Sequence, residues 1–384
     1  MASVVDTAPL VLDVGAVLLV AATSGLIARK VGLPAIVGYL ITGLLVSPFT
    51  PGFVADSKQI AILADIGVVL LLFEVGIEID LGRIKREHGV VLWASPLIVC
   101  LGTLVATPLF MALNIPIFGA ALLALSIAMS SSVVIVNITR SRRRTTSART
   151  EDALLGWSVL QDITGVGLAA LIIAILGKSG EGVAQSILGL LGFGVAAYVA
   201  SKLLPYLLRI IRWESDLFLI YSVAIGLFIA ALGTVVFGIP MALASFVAGL
   251  AINQNRDTDQ VRKAVLPFRD LFQVLFFVVI GSLVEPALIV DALPFTGIIL
   301  GVMVLIKTLP AFLFAHFGHI GDSSAQLSVG LSQVGEFSFV LGSAALAVGA
   351  LTKVQFTAVL LAVISSIIVS TLAVRRASRL SRSI

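Results

Sequence analysis

The chain has 384 residues, of which 59% are hydrophobic and only 12% are charged, and its formal net charge is +4. Soluble domains carry about twice this charged fraction, so the composition excludes an ordinary soluble enzyme or binding domain. Apolar runs of about 20 residues recur along the chain, and each is long enough to cross a bilayer. The sequence therefore predicts an all-α polytopic membrane protein that forms one domain over residues 1–384, with no soluble regulatory domain.

The predicted helices are about thirteen apolar segments, separated by charged residues or by Gly and Pro breaks. In chain order the segments lie near 9–28, 34–53, 59–81, 89–110, 116–139, 150–176, 183–209, 216–236, 240–254, 265–284, 292–318, 323–349 and 351–376.

Basic residues alternate between the loops and so predict the orientation. Arginines and lysines cluster in every second loop and in the tail, whereas the opposite loops hold only Lys58, Lys178 and Lys353. By the positive-inside rule the clusters face the cytoplasm, which predicts an external N-terminus and a cytoplasmic C-terminus in the plasma (inner) membrane. This topology explains the net positive charge, so no nucleic-acid partner is expected. The expected partner is the lipid bilayer.

An internal repeat relates the two halves of the chain. The stretch VGLPAIVGYLITGLL at 31–45 recurs as FGIPMALASFVAGLA at 237–251, which aligns Gly43 with Gly249. Looser matches at nearly the same offset align Gly76 with Gly281, and LSIAMS at 125–130 with LSVGLS at 327–332. An odd number of predicted helices separates the copies, so the second copy is inverted in the membrane. Inverted repeats are typical of secondary transporters.

Two equivalent segments of this repeat carry polar residues in mid-span. Segment 116–139 contains Ser130, Ser131 and Ser132, and segment 323–349 contains Gln333, Gly335 and Glu336. Serines in membrane helices often hydrogen-bond to a carbonyl one turn earlier, so the three serines alone do not show whether the helix is interrupted. The alignment of the two stretches favours interrupted helices, whose free backbone groups and helix ends can bind an ion.

An isolated acidic residue lies in a third segment. Asp162, preceded by Gln161, is the only charge in the apolar run from Ala153 to Leu176. A charge near the bilayer centre costs about 3 kcal/mol on insertion scales, so such residues are usually functional. Lys307 is also an intramembrane charge, and it is the obvious candidate for an ion pair with Asp162.

The chain resembles the second branch of the monovalent cation:proton antiporter superfamily, in particular the Kef-type potassium/proton antiporters. The motifs that carry the resemblance follow the family order: GLPAIVGYLITGLLVSP, LLFEVGIEIDL, AMSSSVVIV, LQDITGV, GIPMALASFVAGLAI, LFFVVIGSL, LIKTLPAF and LSQVGEFSFVL.

The resemblance implies the antiporter fold of about thirteen transmembrane helices, with inverted repeats and two crossed broken helices. It implies a homodimer whose dimer domain comprises helices near 9–81 and 216–284, and a core domain with helices near 89–176 and 292–376. A linking helix is expected near 183–209. The core domain is expected to move in an elevator-like manner.

Within this family pattern, Asp162 is the expected carrier of either a proton or a cation. Burial favours its protonated form, and Lys307 is expected to pair with it until a cation displaces the ammonium. Gln161, Ser130, Ser131 and Ser132 are candidate ligands of the monovalent cation, although Gln161 can also hydrogen-bond a neighbouring helix.

Other polar residues have different expected roles. Gln333, Gly335 and Glu336 are expected to support the helix crossing. Glu74 lies deep in its segment without an evident role, and His316 and His319 are interpreted as ordinary residues near a cytoplasmic helix end.

The ion and the mechanism follow from these assignments. Related sodium antiporters commonly have Asp where this chain has Gln161, so one fewer negative charge favours potassium. One titrating carboxylate predicts electroneutral exchange of one cation for one proton. A sodium/proton antiporter is the nearest alternative. A potassium efflux channel is a second alternative, although no TVGYG-like filter is present.

Other classes of protein are disfavoured. No ATP-binding P-loop motif is present, so we expect neither an enzyme nor an ATP-driven pump, and no cofactor besides the transported ions. Kef-type proteins often carry a cytoplasmic nucleotide-binding domain, so we expect regulation by such a domain either to come from a separate subunit or to have been lost or truncated.

Overall fold

The structure is a computed structural model that describes residues 8–50, 57–78, 89–140, 145–176, 183–211, 213–239, 241–252, 258–335 and 337–380. Within these ranges the regular structure is entirely helical, which confirms the predicted all-α class. Seven helices are long and apolar enough to cross a membrane, so this is a multi-pass membrane protein. The total of thirteen crossings stays a prediction.

The helices of the described ranges are, in order, α1 (Ala8–Val31), α2 (Ala35–Leu45), α3 (Ser57–Glu78), α4 (Val91–Met111), α5 (Ile117–Ala128), α6 (Ser132–Arg140), α7 (Ala148–Leu176), α8 (Val183–Ile211), α9 (Ser215–Phe237), α10 (Met241–Ile252), α11 (Thr258–Ser282), α12 (Ile289–Met303), α13 (Leu309–Phe317), α14 (Ser324–Leu331), α15 (Phe337–Ala347) and α16 (Lys353–Leu380). A 3₁₀ turn at Pro286–Leu288 precedes α12, and a π-helical turn at Val304–Thr308 joins α12 to α13.

The second predicted segment, 34–53, is longer than the helix that forms there. Helix α2 ends at Leu45, three residues before Pro48, because a proline disfavours helical backbone in the residue before it. The Thr50 hydroxyl then donates to the Leu44 carbonyl at 2.7 Å and satisfies one free acceptor of the helix end.

The described residues of Met1–Lys30, Ala35–Asp80 and Lys178–Val284 form a first compact unit. It contains most of α1 together with α2, α3 and α8–α11. Of these, α8 corresponds to the predicted linking helix near 183–209. Its apolar core includes Val17, Ile60, Leu275 and Val278.

Glycine contacts in this first unit follow the internal repeat. A Cβ on Gly43 would collide with the Val278 carbonyl, and one on Gly281 would collide with the Leu40 carbonyl. The equivalent glycines are Gly249 and Gly76, and a Cβ on either one would likewise collide with the backbone of the helix that carries the other. Thus α2 packs closely on α11 just as α10 packs closely on α3, and each pair joins one helix from each repeat.

Glu74 has two arginine partners in this unit. Its carboxylate accepts hydrogen bonds from Arg262 Nε and from Arg269 Nη1, both at 2.7 Å, and Glu74 is only 1% exposed. The two arginines are seven residues apart on α11, so they lie on one helix face. The predicted segment here is 265–284, which leaves Arg262 in the preceding loop. The helix instead begins at Thr258, where this ion-pair cluster stabilises its first turns.

The described residues of Val31–Pro34, Leu81–Gly177 and Glu285–Ile384 form a second compact unit, with α4–α7 and α12–α16. Its core includes the fully buried Trp157 of α7, with Ile98 of α4, Ala311 of α13 and Leu327 of α14. Helix α7 therefore packs among the elements that surround the two interrupted helices.

Replacing either Gly43 or Gly249 with Ala should lower the melting temperature by a similar amount. The added methyl group overpacks a helix contact, and such changes typically cost about 1–3 kcal/mol. Thermal unfolding of the purified protein in detergent measures the effect. Gly15→Ala is the control, because a Cβ at Gly15 meets no atom within 4 Å. Melting temperatures equal to that of the control would contradict the two matched helix contacts.

Candidate ion-binding site

Both predicted helix interruptions are present in the second unit. Helix α5 ends at Ala128, Met129 is extended, and α6 begins at Ser132. Helix α14 ends at Leu331, and α15 begins at Phe337. Each interruption leaves backbone donors and acceptors without partners inside its own helix, and these must be satisfied by other groups.

The two interruptions cross in direct contact. The Gly335 N–H donates to the Met129 carbonyl at 3.3 Å, and the Ser130 hydroxyl donates to the Leu331 carbonyl at 2.7 Å. A Cβ on Gly335 would lie 2.9 Å from the Ser130 carbonyl carbon, closer than real side chains approach. Glycine is therefore required at position 335 for the backbones to come this close.

Two glutamine side chains bind the backbone of the first interruption. Gln333 Oε1 accepts from the Ser131 N–H at 2.8 Å, and its Nε2 donates to the Ser131 carbonyl at 3.1 Å. Gln161 Oε1 accepts from the Ser130 N–H at 3.2 Å, and its Nε2 donates to the Ala128 carbonyl at 3.3 Å. Both glutamines are fully buried, so these amides replace hydrogen bonds that a continuous helix would make.

Lys307 binds backbone carbonyls, and the predicted ion pair with Asp162 stays a prediction. The fully buried ammonium donates to the carbonyl of Met129 at 2.8 Å and to that of Gln333 at 2.7 Å. These carbonyls follow the C-termini of α5 and α14, where helix dipoles place partial negative charge. The sequence did not predict these two partners, because helix breaks provide acceptors that a sequence pattern does not display. Lys307 itself lies in the π-helical turn, a feature frequent at functional sites.

Asp162 lies at the opposite kind of helix end. It is 2% exposed, and the Ser132 hydroxyl donates to its Oδ2 at 3.3 Å. Ser132 is the first residue of α6, so the carboxylate is near a helix N-terminus, whose partial positive charge favours an anion. The helix end thus helps to keep the buried carboxylate ionised, and an ionised carboxylate can bind a proton or a monovalent cation.

The structure separates the predicted ion ligands into two groups. Asp162 and Ser132 lie together, whereas Gln161 and Ser130 bind the backbone at the crossing. The Ser131 hydroxyl accepts from the Val134 N–H at 3.2 Å and so caps α6. Of the residues expected to support the crossing, Gln333 and Gly335 do so, and Glu336 lies outside the described residues.

Sequence reasoning missed two polar contributions to the second interruption. The Ser366 hydroxyl of α16 accepts from the Val334 N–H at 3.0 Å, and the hydroxyl oxygens of Thr308 and Ser332 are 2.7 Å apart. The internal repeat could have identified Ser366, because α16 is the counterpart of α7 in the second copy. Ser366 satisfies the second interruption in the way that Gln161 satisfies the first.

Comparison with known proteins gives a consistent result. A family model described as "Sodium/hydrogen exchanger, transmembrane" matches residues 16–379. The chain is 28% identical over 376 residues to YbaL of Escherichia coli (strain K12), which is named as an inferred cation/proton antiporter. The match covers 94% of this chain and 67% of YbaL.

Two solved structures share the fold. Both are of the sodium proton antiporter MjNhaP1 from Methanocaldococcus jannaschii, one at pH 8 and one from an electron-microscopy map, and each is 17% identical in sequence. The first has a TM-score of 0.66 and covers 97% of this chain and 99% of that chain. The second has a TM-score of 0.59 and covers 96% of this chain and 94% of that chain.

Gln333→Ala should destabilise the crossing, because it removes the side-chain acceptor of the buried Ser131 N–H. Leaving a buried polar group without a partner costs about 1–3 kcal/mol. We expect a lower melting temperature in detergent than for Gln260→Ala, which removes an exposed glutamine from α11. If the two variants melt together, the Gln333 amide does not hold the crossing.

Proposed function

The chain belongs to the transmembrane sodium/hydrogen exchanger family, and from this premise we propose that it exchanges potassium for protons. The observation that carries the proposal is the carboxylate of Asp162, which is 2% exposed within an apolar helix and lies at the N-terminal end of α6. A carboxylate can bind a proton or a monovalent cation, but not both at once. This competition is the minimal chemistry of an antiporter.

The choice of potassium rests on the charge of the site. Gln161 contributes no charge beside Asp162, and its amide is already engaged by the Ser130 N–H and the Ala128 carbonyl. One carboxylate with the neighbouring Ser132 hydroxyl forms a site of low charge, which suits a large, weakly hydrated cation. The ions are substrates rather than cofactors.

Sodium is the second candidate. The similarity to the sodium proton antiporter MjNhaP1 and the description of the family model both favour it. Cation-dependent proton flux in proteoliposomes, compared between potassium and sodium, distinguishes the two ions.

Charge balance is the second element of the proposal. Binding one proton or one monovalent cation to Asp162 gives the site the same charge, so exchange is one for one and electroneutral. The two carbonyl contacts of Lys307 support this scheme, because they favour the protonated ammonium. The expected pairing of Lys307 with Asp162, until a cation displaces the ammonium, remains part of the proposal.

Movement and assembly complete the proposal. The described site residues all belong to the second compact unit, so an elevator-like movement of that unit would carry the whole site between the two membrane faces. We propose a homodimer in the plasma membrane with an external N-terminus and a cytoplasmic C-terminus. A separate cytoplasmic regulatory subunit is a further partner in this proposal.

Asp162→Asn should abolish exchange while leaving the dimer intact, because an amide of nearly the same shape cannot bind a titrating proton. Proton flux driven by a potassium gradient in proteoliposomes measures activity, and size-exclusion chromatography measures assembly. Asp291→Asn, an exposed residue in the first turn of α12, is the matched control. Exchange above the protein-free background in Asp162→Asn would exclude this residue as the obligatory carrier.

Gln161→Asp should shift preference from potassium toward sodium or lithium, because it adds a second carboxylate beside Asp162. Gln161→Asn is the matched control: it has the same length as Asp but no charge. We expect only the Asp variant to change the cation series measured in proteoliposomes. The same shift in both variants would show that side-chain length at the crossing, rather than charge, determines selectivity.

A further inference from the structure

A polar cavity lies in the second unit, apart from the Asp162 site. Its volume is about 380 Å³, within the range of small-molecule sites, and its walls include Arg149, Ala315, His316, His319, Gly321, Asp322 and Ser324. By the predicted orientation this cavity is on the cytoplasmic side.

The walls of the cavity are the ends of three elements that carry the ion site. Arg149 is in the first turn of α7, the helix of Asp162. His316 is in the last turn of α13, which continues from the π-helical turn of Lys307. Ser324 begins α14, which leads into the second interruption. A ligand in the cavity would therefore contact all three elements at once.

Hydrogen-bond donors predominate in the cavity. Arg149 Nη2 donates to the His319 carbonyl at 3.1 Å, whereas Asp322 Oδ1 is 3.7 Å from Arg149 Nη1, which is too far for a hydrogen bond. A guanidinium group has five N–H donors, so several remain for a ligand. Two imidazoles and the Ser324 hydroxyl add further donors, against the single carboxylate of Asp322.

His319 has an unusual backbone conformation. Its φ is +50°, in the left-handed region, and it follows the C-terminus of α13. The Gly318 and Ile320 N–H groups satisfy the α13 carbonyls of Phe314 and Ala315, so position 319 is where helices usually place glycine. A side chain kept at a strained position is a reason to look for a function. Here the imidazole lines the cavity.

We propose that this cavity binds a phosphate group, with Arg149, His316 and His319 as donors. Phosphate has enough acceptor oxygens for donors that approach from three separate elements, and arginine is well suited to it. A metal ion is a poorer fit, since in the described part of the chain no three His, Cys, Asp or Glu residues are placed to hold one. The phosphate comes from an anionic lipid headgroup or from the free ion. Asp322 competes with it for Arg149.

The test compares variants that should change phosphate binding in opposite directions. The melting temperature of the full chain in neutral detergent is measured against inorganic phosphate at constant ionic strength. For the wild type we expect an increase of about 2 °C or more at saturating phosphate. Arg149→Gln should abolish the increase. Asp322→Asn should lower the half-saturating concentration, because it removes the competing carboxylate. Arg376→Gln, which removes an exposed charge from α16, should respond as the wild type does.

His319→Gly provides a variant that is expected to fold. Glycine relieves the backbone strain, so the phosphate-free melting temperature should rise, while the phosphate-dependent increase should shrink. This opposite pair of changes distinguishes a binding residue from one that only terminates α13.

The source of the phosphate is determined in lipid. The same variants are melted in phosphatidylcholine nanodiscs with and without phosphatidylglycerol. Stabilisation by phosphatidylglycerol that Arg149→Gln loses assigns the cavity to a lipid headgroup, whereas stabilisation by inorganic phosphate alone assigns it to the free ion. If neither stabilises the wild type, or if Arg149→Gln responds equally, the proposal is wrong.

Discussion

The two hydrogen bonds of the Lys307 ammonium are the interaction on which the site depends. A buried lysine is costly unless its charge is compensated. Here the compensation comes from the Met129 and Gln333 carbonyls, which follow the ends of two different half-helices. One cation thus stabilises two negative helix ends, and the N-terminal end of α6 is left to stabilise the carboxylate of Asp162. Each buried charge lies at the helix end of opposite sign, so an apolar helix bundle tolerates both.

The internal repeat supplies the geometry that brings these helix ends together. In the second unit, equivalent interruptions cross with Gly335 at the closest approach, and Gln161 and Ser366 satisfy the first and second interruption from equivalent helices. In the first unit, equivalent glycines give two matching helix contacts. The same pattern of repetition therefore organises both units. Together with the family match, this arrangement is that of a cation/proton antiporter, and its crossing is assembled from both repeats.

Features carried by one segment could be predicted from the sequence, whereas those that need a partner could not. Asp162 is conspicuous because it is alone in an apolar run, and the interruptions are recognisable because polar residues recur at equivalent positions. The carbonyl partners of Lys307 were not predictable, since backbone groups become available only where helices break. For Gln161 the sequence left two roles open, an ion ligand or a hydrogen bond to a neighbouring helix. Its amide hydrogen-bonds the backbone of the first interruption, and this contact depends on the path of a helix about thirty residues earlier. Glu74 had no evident role, because its partner Arg262 lies before residue 265, where the predicted helix begins, whereas α11 begins at Thr258.

The proposed mechanism has Asp162 as the single titrating carrier and Lys307 as a permanently charged structural residue. Its most direct test is the exchange equilibrium in proteoliposomes, measured at zero and at large imposed membrane potentials with fixed cation and proton gradients. We predict the same equilibrium at every potential, because each half-cycle moves the same charge. If Lys307 released a proton when the cation binds, a second proton would be exchanged, and potential would contribute about 2.3 kcal/mol per charge per 100 mV. A displacement of the equilibrium by potential would therefore contradict the account.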